Sequence, residues 1–168
     1  MEGFVALLTE KFHDSDWTDQ EVGFALARRV PIVAVRLGKG PYGFIGKFQA
    51  LSGDFPKCDL DIVKLLIKHE RMFEAYVRAI RQVTSWDTGN LLAEVLPSIE
   101  NLTAKQIDEL VAAYNETDEL RGCFRLNGKK PAYYGDGLLP HLHRLGKRKF
   151  IFDSSGYISE GSDAGHFR

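Results

Sequence analysis

Residues 4–35 read FVALLTEKFHDSDWTDQEVGFALARRVPIVAV, and this stretch decides the fold. It opens on Phe4 to Thr9, a short continuous apolar run of the kind found in strands buried on both faces. It closes on a second run of the same kind, Ile32-Val33-Ala34-Val35. Between them Lys11 to Ser15 is polar, and Ser15 or Asp16 is a good helix N-cap. Asp16, Asp19 and Glu21 place negative charge in the first turns, where the helix dipole favours it. Arg28 and Arg29 stand at the other end, again with the favourable sign. A helix is therefore expected from about Asp16 to Arg29, stopped by Pro31.

Outward from this strand–helix–strand unit the pattern continues. Gly38 to Gly43 form a loop with three glycines. Phe44 to Leu51 suggest a small helical turn and a third strand around Phe48 to Leu51. In Leu60 to Val83 apolar residues recur at three- and four-residue steps, from Ile62, Leu65 and Leu66 to Met72, Phe73, Tyr76, Val77 and Ile80. That spacing predicts one amphipathic helix, with Asp59 as its cap. The order of elements points to an α/β fold with a parallel sheet and right-handed crossovers.

The pattern changes at Thr84 to Gly89, so two domains are expected, 1–83 and 84–168. The second reads as small, mainly helical and α+β. Asn90 to Ile99 suggest a short helix. Thr103-Ala104-Lys105-Gln106 fit a capping box ahead of a helix whose apolar stripe is Ile107, Leu110, Val111 and Tyr114. Leu138 to Leu145 read as a further helix, Lys149 to Phe152 as a strand, and Ser154 to Arg168 as a fraying, glycine-rich end.

Composition sets the outer bounds. The 168 residues are 44% hydrophobic and 27% charged, which excludes a mainly disordered chain and a fibrous one. No apolar run approaches the length of a membrane span, and the first residues lack the pattern of a secretory signal. The formal net charge of −1 does not advertise nucleic acid. Cys58 and Cys123 stand far apart with no Cys-x-x-Cys pair, arguing against a disulfide scaffold or a zinc ribbon. A reducing, cytoplasmic setting is the expectation. The early start of the apolar run, at Phe4, raises the expectation that further strands precede it in a parent protein.

Trp17 and Glu21 are the residues best placed for chemistry. Four apart, they share one face of the predicted helix, one turn from each other. In open α/β sheets the crevice at the carboxyl ends of the strands is the usual ligand site, and the first turn of the next helix borders it. A carboxylate beside an aromatic ring there can stack a flat group and stabilise positive charge. The same spacing also suits a solvated carboxylate and an aromatic that anchors the helix.

Ala6-Leu7-Leu8-Thr9, Ser15-Asp16-Trp17 with Glu21, Ala25-Leu26, Pro31 to Leu37 and Pro41-Tyr42-Gly43-Phe44-Ile45 together resemble the second half of a bacterial TIR (Toll/interleukin-1 receptor) domain. The resemblance covers roughly Phe4 to Val83. Its most specific element is the Trp-x-x-x-Glu pattern, Trp17 to Glu21; the cysteine common after the tryptophan is Thr18 here. It implies a partial flavodoxin-like parallel sheet, the third to fifth strands of a TIR domain, with the first two strands and their loops lying outside this chain. It implies NAD as substrate, Glu21 as the catalytic glutamate and Trp17 as part of the pocket wall, in bacterial immune, anti-phage or stress signalling. Cleavage between nicotinamide and ribose develops oxocarbenium-like charge that a fixed carboxylate stabilises, as in glycoside hydrolysis. No metal or other cofactor is called for, because nicotinamide is already a charged leaving group. The alternative that the resemblance leaves is a non-enzymatic module that assembles with itself or with another TIR chain, or an inactive fragment.

The remaining motifs are weaker. Gly38 to Gly43 lack the spacing of a phosphate-binding loop. His141 and His143 have no companion ligands for a metal. His13 precedes the helix and can approach the cleft, though a loop surface is the commoner place for such a residue. Arg121 to Lys149 hold eight basic residues against Asp136, with Phe124, Tyr133 and Tyr134 interleaved. Such a segment suits an acidic partner or nucleic acid, or a solvated surface balanced by the acidic stretch from Glu94 to Glu119.

Overall fold

A computed structural model describes residues 3–53, 58–145 and 148–161. Its elements in chain order are β1 (Phe4–Leu8), α1 (Asp16–Ala27), β2 (Ile32–Arg36), β3 (Leu51–Ser52), α2 (Cys58–Leu66), α3 (Glu70–Arg81) and α4 (Trp86–Ala93). They continue with α5 (Ala104–Glu116), α6 (Glu119–Gly122), α7 (Phe124–Asn127), α8 (Pro131–Tyr134), α9 (Leu138–Leu145), β4 (Phe150–Phe152) and β5 (Ile158–Glu160). The sequence pattern changes after Val83; the compact units of the chain part between Met72 and Phe73, inside α3.

The first unit is α/β. Its sheet has the order β1-β2-β3 and is parallel throughout, with Phe4 opposite Ile32 and Leu8 opposite Arg36. Alternation along the strands feeds two apolar layers. On one face Ala6, Leu8 and Ala34 pack with Val22 of α1 and Ile45. On the other Val33 and Val35 pack with Cys58 and Leu66 of α2, with Ile62 and Met72 beside them. Val5 and Leu7 point to that second face too, but at the sheet edge they stay 40% and 50% exposed. The outer edge of β1 pairs with no described strand.

The helix expected over Leu60 to Val83 is two helices, with a break at Ile67 to His69. Ile62, Leu65 and Leu66 should be continued at positions 69 and 70, but those are His69 and Glu70, so the apolar stripe is interrupted. The chain turns there, with the His69 amide donating to the Leu66 carbonyl and the Met72 amide to that of His69. The third strand is shorter and later than expected, pairing only at Leu51 and Ser52. The helix expected at Asn90 begins at Trp86, because Ser85 is its cap and accepts from the Thr88 amide.

The second unit is mainly helical. Thr103 and Gln106 form the full capping box at the start of α5. From α3 the unit takes Phe73, Tyr76, Val77 and Ile80, a buried stripe at helical spacing. The Tyr76 hydroxyl donates to the Leu92 carbonyl at 2.9 Å. Leu110, Tyr114, Leu120, Leu126, Leu138 and Leu142 are completely buried. Gly137 crosses so close to Gly128 that a Cβ there would stand 2.6 Å from the Gly128 Cα. The end expected to fray forms β5, antiparallel to β4; residues 162–168 lie outside the described residues. Asn115 of α5 grips β5 from the side away from β4. Its amide accepts from the Ile158 N–H and donates to the Ile158 carbonyl, both at 2.8 Å.

Candidate functional site

The parallel order places the carboxyl ends of β1 and β2 side by side, and two loops meet there. The amides of Leu37 and Lys39 both donate to the Leu8 carbonyl, so the strands stay joined as they end. The loop after β1 leads into α1, whose Thr18 hydroxyl lies 2.7 Å from the carbonyls of Phe12 and Ser15. Those contacts fix the turn from which Trp17 and Glu21 project.

Trp17 and Glu21 do share one exposed face of α1. Trp17 is 73% exposed, and the Glu21 carboxylate forms no hydrogen bond or ion pair with a described residue. The helix brings the two together; no other described side chain closes over them.

A second group is assembled from distant positions in the two loops, and it meets α1 at Asp19, two residues from both Trp17 and Glu21. Lys39 Nζ lies 2.8 Å from His13 Nε2. The His13 ring packs on Tyr42 with 4.0 Å between centroids, and Phe12 meets the other side of Tyr42 edge-on. The Tyr42 hydroxyl reaches toward Asp19 of α1 at 3.5 Å. Burial first, then the Asp19 carboxylate, raise the Tyr42 pKa above the ordinary tyrosine value. His13 is held against the loop of three glycines by Lys39 and Tyr42. That loop builds a wall: a Cβ on Gly38 would stand 2.9 Å from the Glu10 carboxylate. Lysine, imidazole and phenol are donors suited to the oxygens of a polar ligand.

No family model, curated protein or solved structure matches this chain.

The other sequence candidates fall as follows. His141 is buried, its Nδ1 3.3 Å from an Arg144 nitrogen, and its Nε2 has no hydrogen-bond partner among the described residues. Burial, then the Arg144 guanidinium, push its pKa below the ordinary histidine value. His143 is exposed and its Nε2 lies 2.6 Å from the Phe150 carbonyl. Among the described residues no group of three or more His, Cys, Asp or Glu is placed to hold a metal ion. The basic segment is largely spoken for by acids. Arg121 pairs with Asp118, Arg125 with Glu94, Arg144 with Asp136, and Arg148 with both Asp108 and Glu160. Lys129 and Lys130 lie over the rings of Phe152 and Phe124. Lys147 and the side chains of Tyr133 and Tyr134 lie outside what is described. No described helix is long and apolar enough to cross a membrane.

Proposed function

We propose that this chain is a TIR-type signalling protein that hydrolyses NAD, with Glu21 stabilising the ribosyl cation and Trp17 flanking the bound nucleotide. The observation that carries the reading is the position of Glu21, one turn from Trp17 on the helix that leaves the carboxyl end of a parallel strand. In the reaction the bond between ribose C1′ and the pyridinium nitrogen breaks, its electron pair leaving with nicotinamide. Water adds to C1′ and releases one proton, giving ADP-ribose.

The exposure of Glu21 sets a condition on this chemistry. A carboxylate 4 Å from a unit positive charge gains about 1 kcal/mol in bulk water and about 4 kcal/mol at an effective dielectric constant of 20. The difference, about 3 kcal/mol, is roughly a hundredfold in rate. Glu21 therefore acts when another chain covers it. The exposed Trp17 and Phe24 give a second copy a surface on the helix that carries Glu21, and the open edge of β1, with Val5 and Leu7 exposed on the opposite face of the sheet, gives it another on which to pair.

The test is nicotinamide release from NAD across a series of protein concentrations, run beside Glu21→Gln, with association followed by sedimentation. Release per molecule should rise with association, and the substitution should abolish it. Release that is independent of concentration, or that survives Glu21→Gln, refutes the proposal. The open β1 edge also favours a second reading, an assembly module without catalysis. It predicts association that is unaffected by Glu21→Gln, with no nicotinamide released at any concentration.

A further inference from the structure

At the opposite end of α1 the first unit holds a cavity of about 270 Å³. Among the described residues Arg28, Arg29 and Arg71 line it with His69 and Glu70, while Val30 and Pro31 lead from it into the amino end of β2. It lies about 10 Å along the helix axis from Glu21, at 1.5 Å per residue. Arg28 and Arg29 bring two guanidiniums to it, in a chain whose net charge is −1.

Two details show that the arginines are not placed there for the helix alone. Arg28 and Arg29 form no ion pair with a described acid. Arg28 is instead steadied by the Phe24 ring, its guanidinium carbon 5.2 Å from the ring centroid. Arg29 is the one described non-glycine residue with positive φ, at 53°. The cause is the way α1 ends. The Val30 amide donates to the Ala25 carbonyl at 2.9 Å and the Arg29 amide to the Leu26 carbonyl at 3.0 Å. This is the Schellman pattern, whose left-handed position is most often filled by glycine. A β-carbon there is strained, and strain of this sort tends to be retained where a side chain has work to do. A basic residue needed only to answer the helix dipole could sit one turn earlier without strain.

We propose that this cavity binds the phosphate groups of a small phosphorylated molecule, at the size of a diphosphate. Adjacent guanidinium forks match phosphate oxygens bidentately and hold them more selectively than a point charge does. Two neighbouring guanidiniums can each take one phosphate group of a diphosphate, and the recess opens to solvent, so the rest of the molecule can extend outward. Glu70 and Arg71, the first residues of α3, border the same space. The site is distinct from Glu21 and does not depend on NAD cleavage.

The test is calorimetric titration of the full chain with sodium pyrophosphate and with inorganic phosphate, at constant ionic strength. Saturable pyrophosphate binding at one site is expected, with phosphate at least tenfold weaker. Arg28→Gln should weaken pyrophosphate at least tenfold. Arg29→Gly is the decisive variant: it relieves the backbone, so the melting temperature without ligand should rise by a few degrees while binding falls at least tenfold. Glu70→Gln should tighten binding, and Lys105→Gln, on an exposed side chain of α5, should leave it unchanged. Absence of saturable binding at 10 mM pyrophosphate (about the weakest that such a site would give), or full binding by the more stable Arg29→Gly variant, overturns the proposal.

Discussion

Asn115 is the most economical tie in the second unit, and its removal gives a sharply local result. Ile158 stands opposite Phe152 in the β4–β5 ladder, with its own N–H and carbonyl turned away from β4 to the Asn115 amide. One side chain of α5 thus replaces one rung of a third strand. Asn115→Ala deletes two hydrogen bonds of 2.8 Å. Each such bond contributes about 1 kcal/mol net, and a group left unpaired costs about 1–3 kcal/mol. Because Ile158 is buried, the loss should reach about 2–4 kcal/mol. The readout is amide hydrogen exchange at Ile158, which should accelerate roughly 30- to 700-fold, at 1.4 kcal/mol per tenfold. Asn115→Asp sharpens the test. At neutral pH the introduced carboxylate still accepts from the Ile158 N–H but faces the Ile158 carbonyl with a second acceptor, so it should also destabilise. Its protonated form restores a donor, so its folded pKa lies above the unfolded value of about 3.9. The stability that this proton contributes is fully present below about pH 3.9 and is lost as pH rises through the folded pKa. An Asn115→Asp protein as stable as the parent at pH 7, with no such slope, would refute the reasoning.

Three further outcomes follow from the same kind of accounting. Thr103→Ala removes the acceptor for the Gln106 amide and should cost about 1 kcal/mol in urea unfolding of the second unit. Gly137→Ala sets a Cβ against the Gly128 backbone, which cannot move aside as a side chain can. It should cost at least about 1–3 kcal/mol and lower the melting temperature measurably. Burial, the largest influence on Tyr114, pushes its pKa up to about 12. The stability linked to its proton is present below about pH 10 and lost as pH rises toward 12, about 2–3 kcal/mol in all. Tyr114→Phe should flatten that alkaline fall in melting temperature, even though it forfeits the hydrogen bond to the Gly156 carbonyl.

Much of the first unit is legible in its residues, because its signals are local. Phe4 to Leu8 and Ile32 to Val35 are unbroken apolar runs, and the acid-to-base gradient of α1 marks both its ends. The Thr103 capping box is equally local, four residues that satisfy one another. What escapes the sequence is non-local. The break at His69 falls where the periodic positions, 69 and 70, are polar, a gap that Leu66 and Met72 on either side bridge in appearance. The strand at Ile158 has no strong propensity of its own and depends on an asparagine 43 positions earlier. Of the candidate site, the pairing of Trp17 and Glu21 follows from helical periodicity. The approach of Lys39 to His13, across 26 residues, needs the parallel register that sets the two loops together. The left-handed backbone of Arg29 leaves no trace in composition, because glycine is its usual advertisement.

The two cysteines acquire an experimental meaning from the way the chain divides. Cys58 belongs to the first unit and Cys123 to the second, and both thiols are buried and unpaired. Burial raises both above the ordinary cysteine pKa, so neither offers much thiolate at neutral pH. A thiol reagent must wait for the surrounding structure to open before it can react. The protein thus carries one internal clock for each unit, and two labelling rates from a single sample time their openings separately.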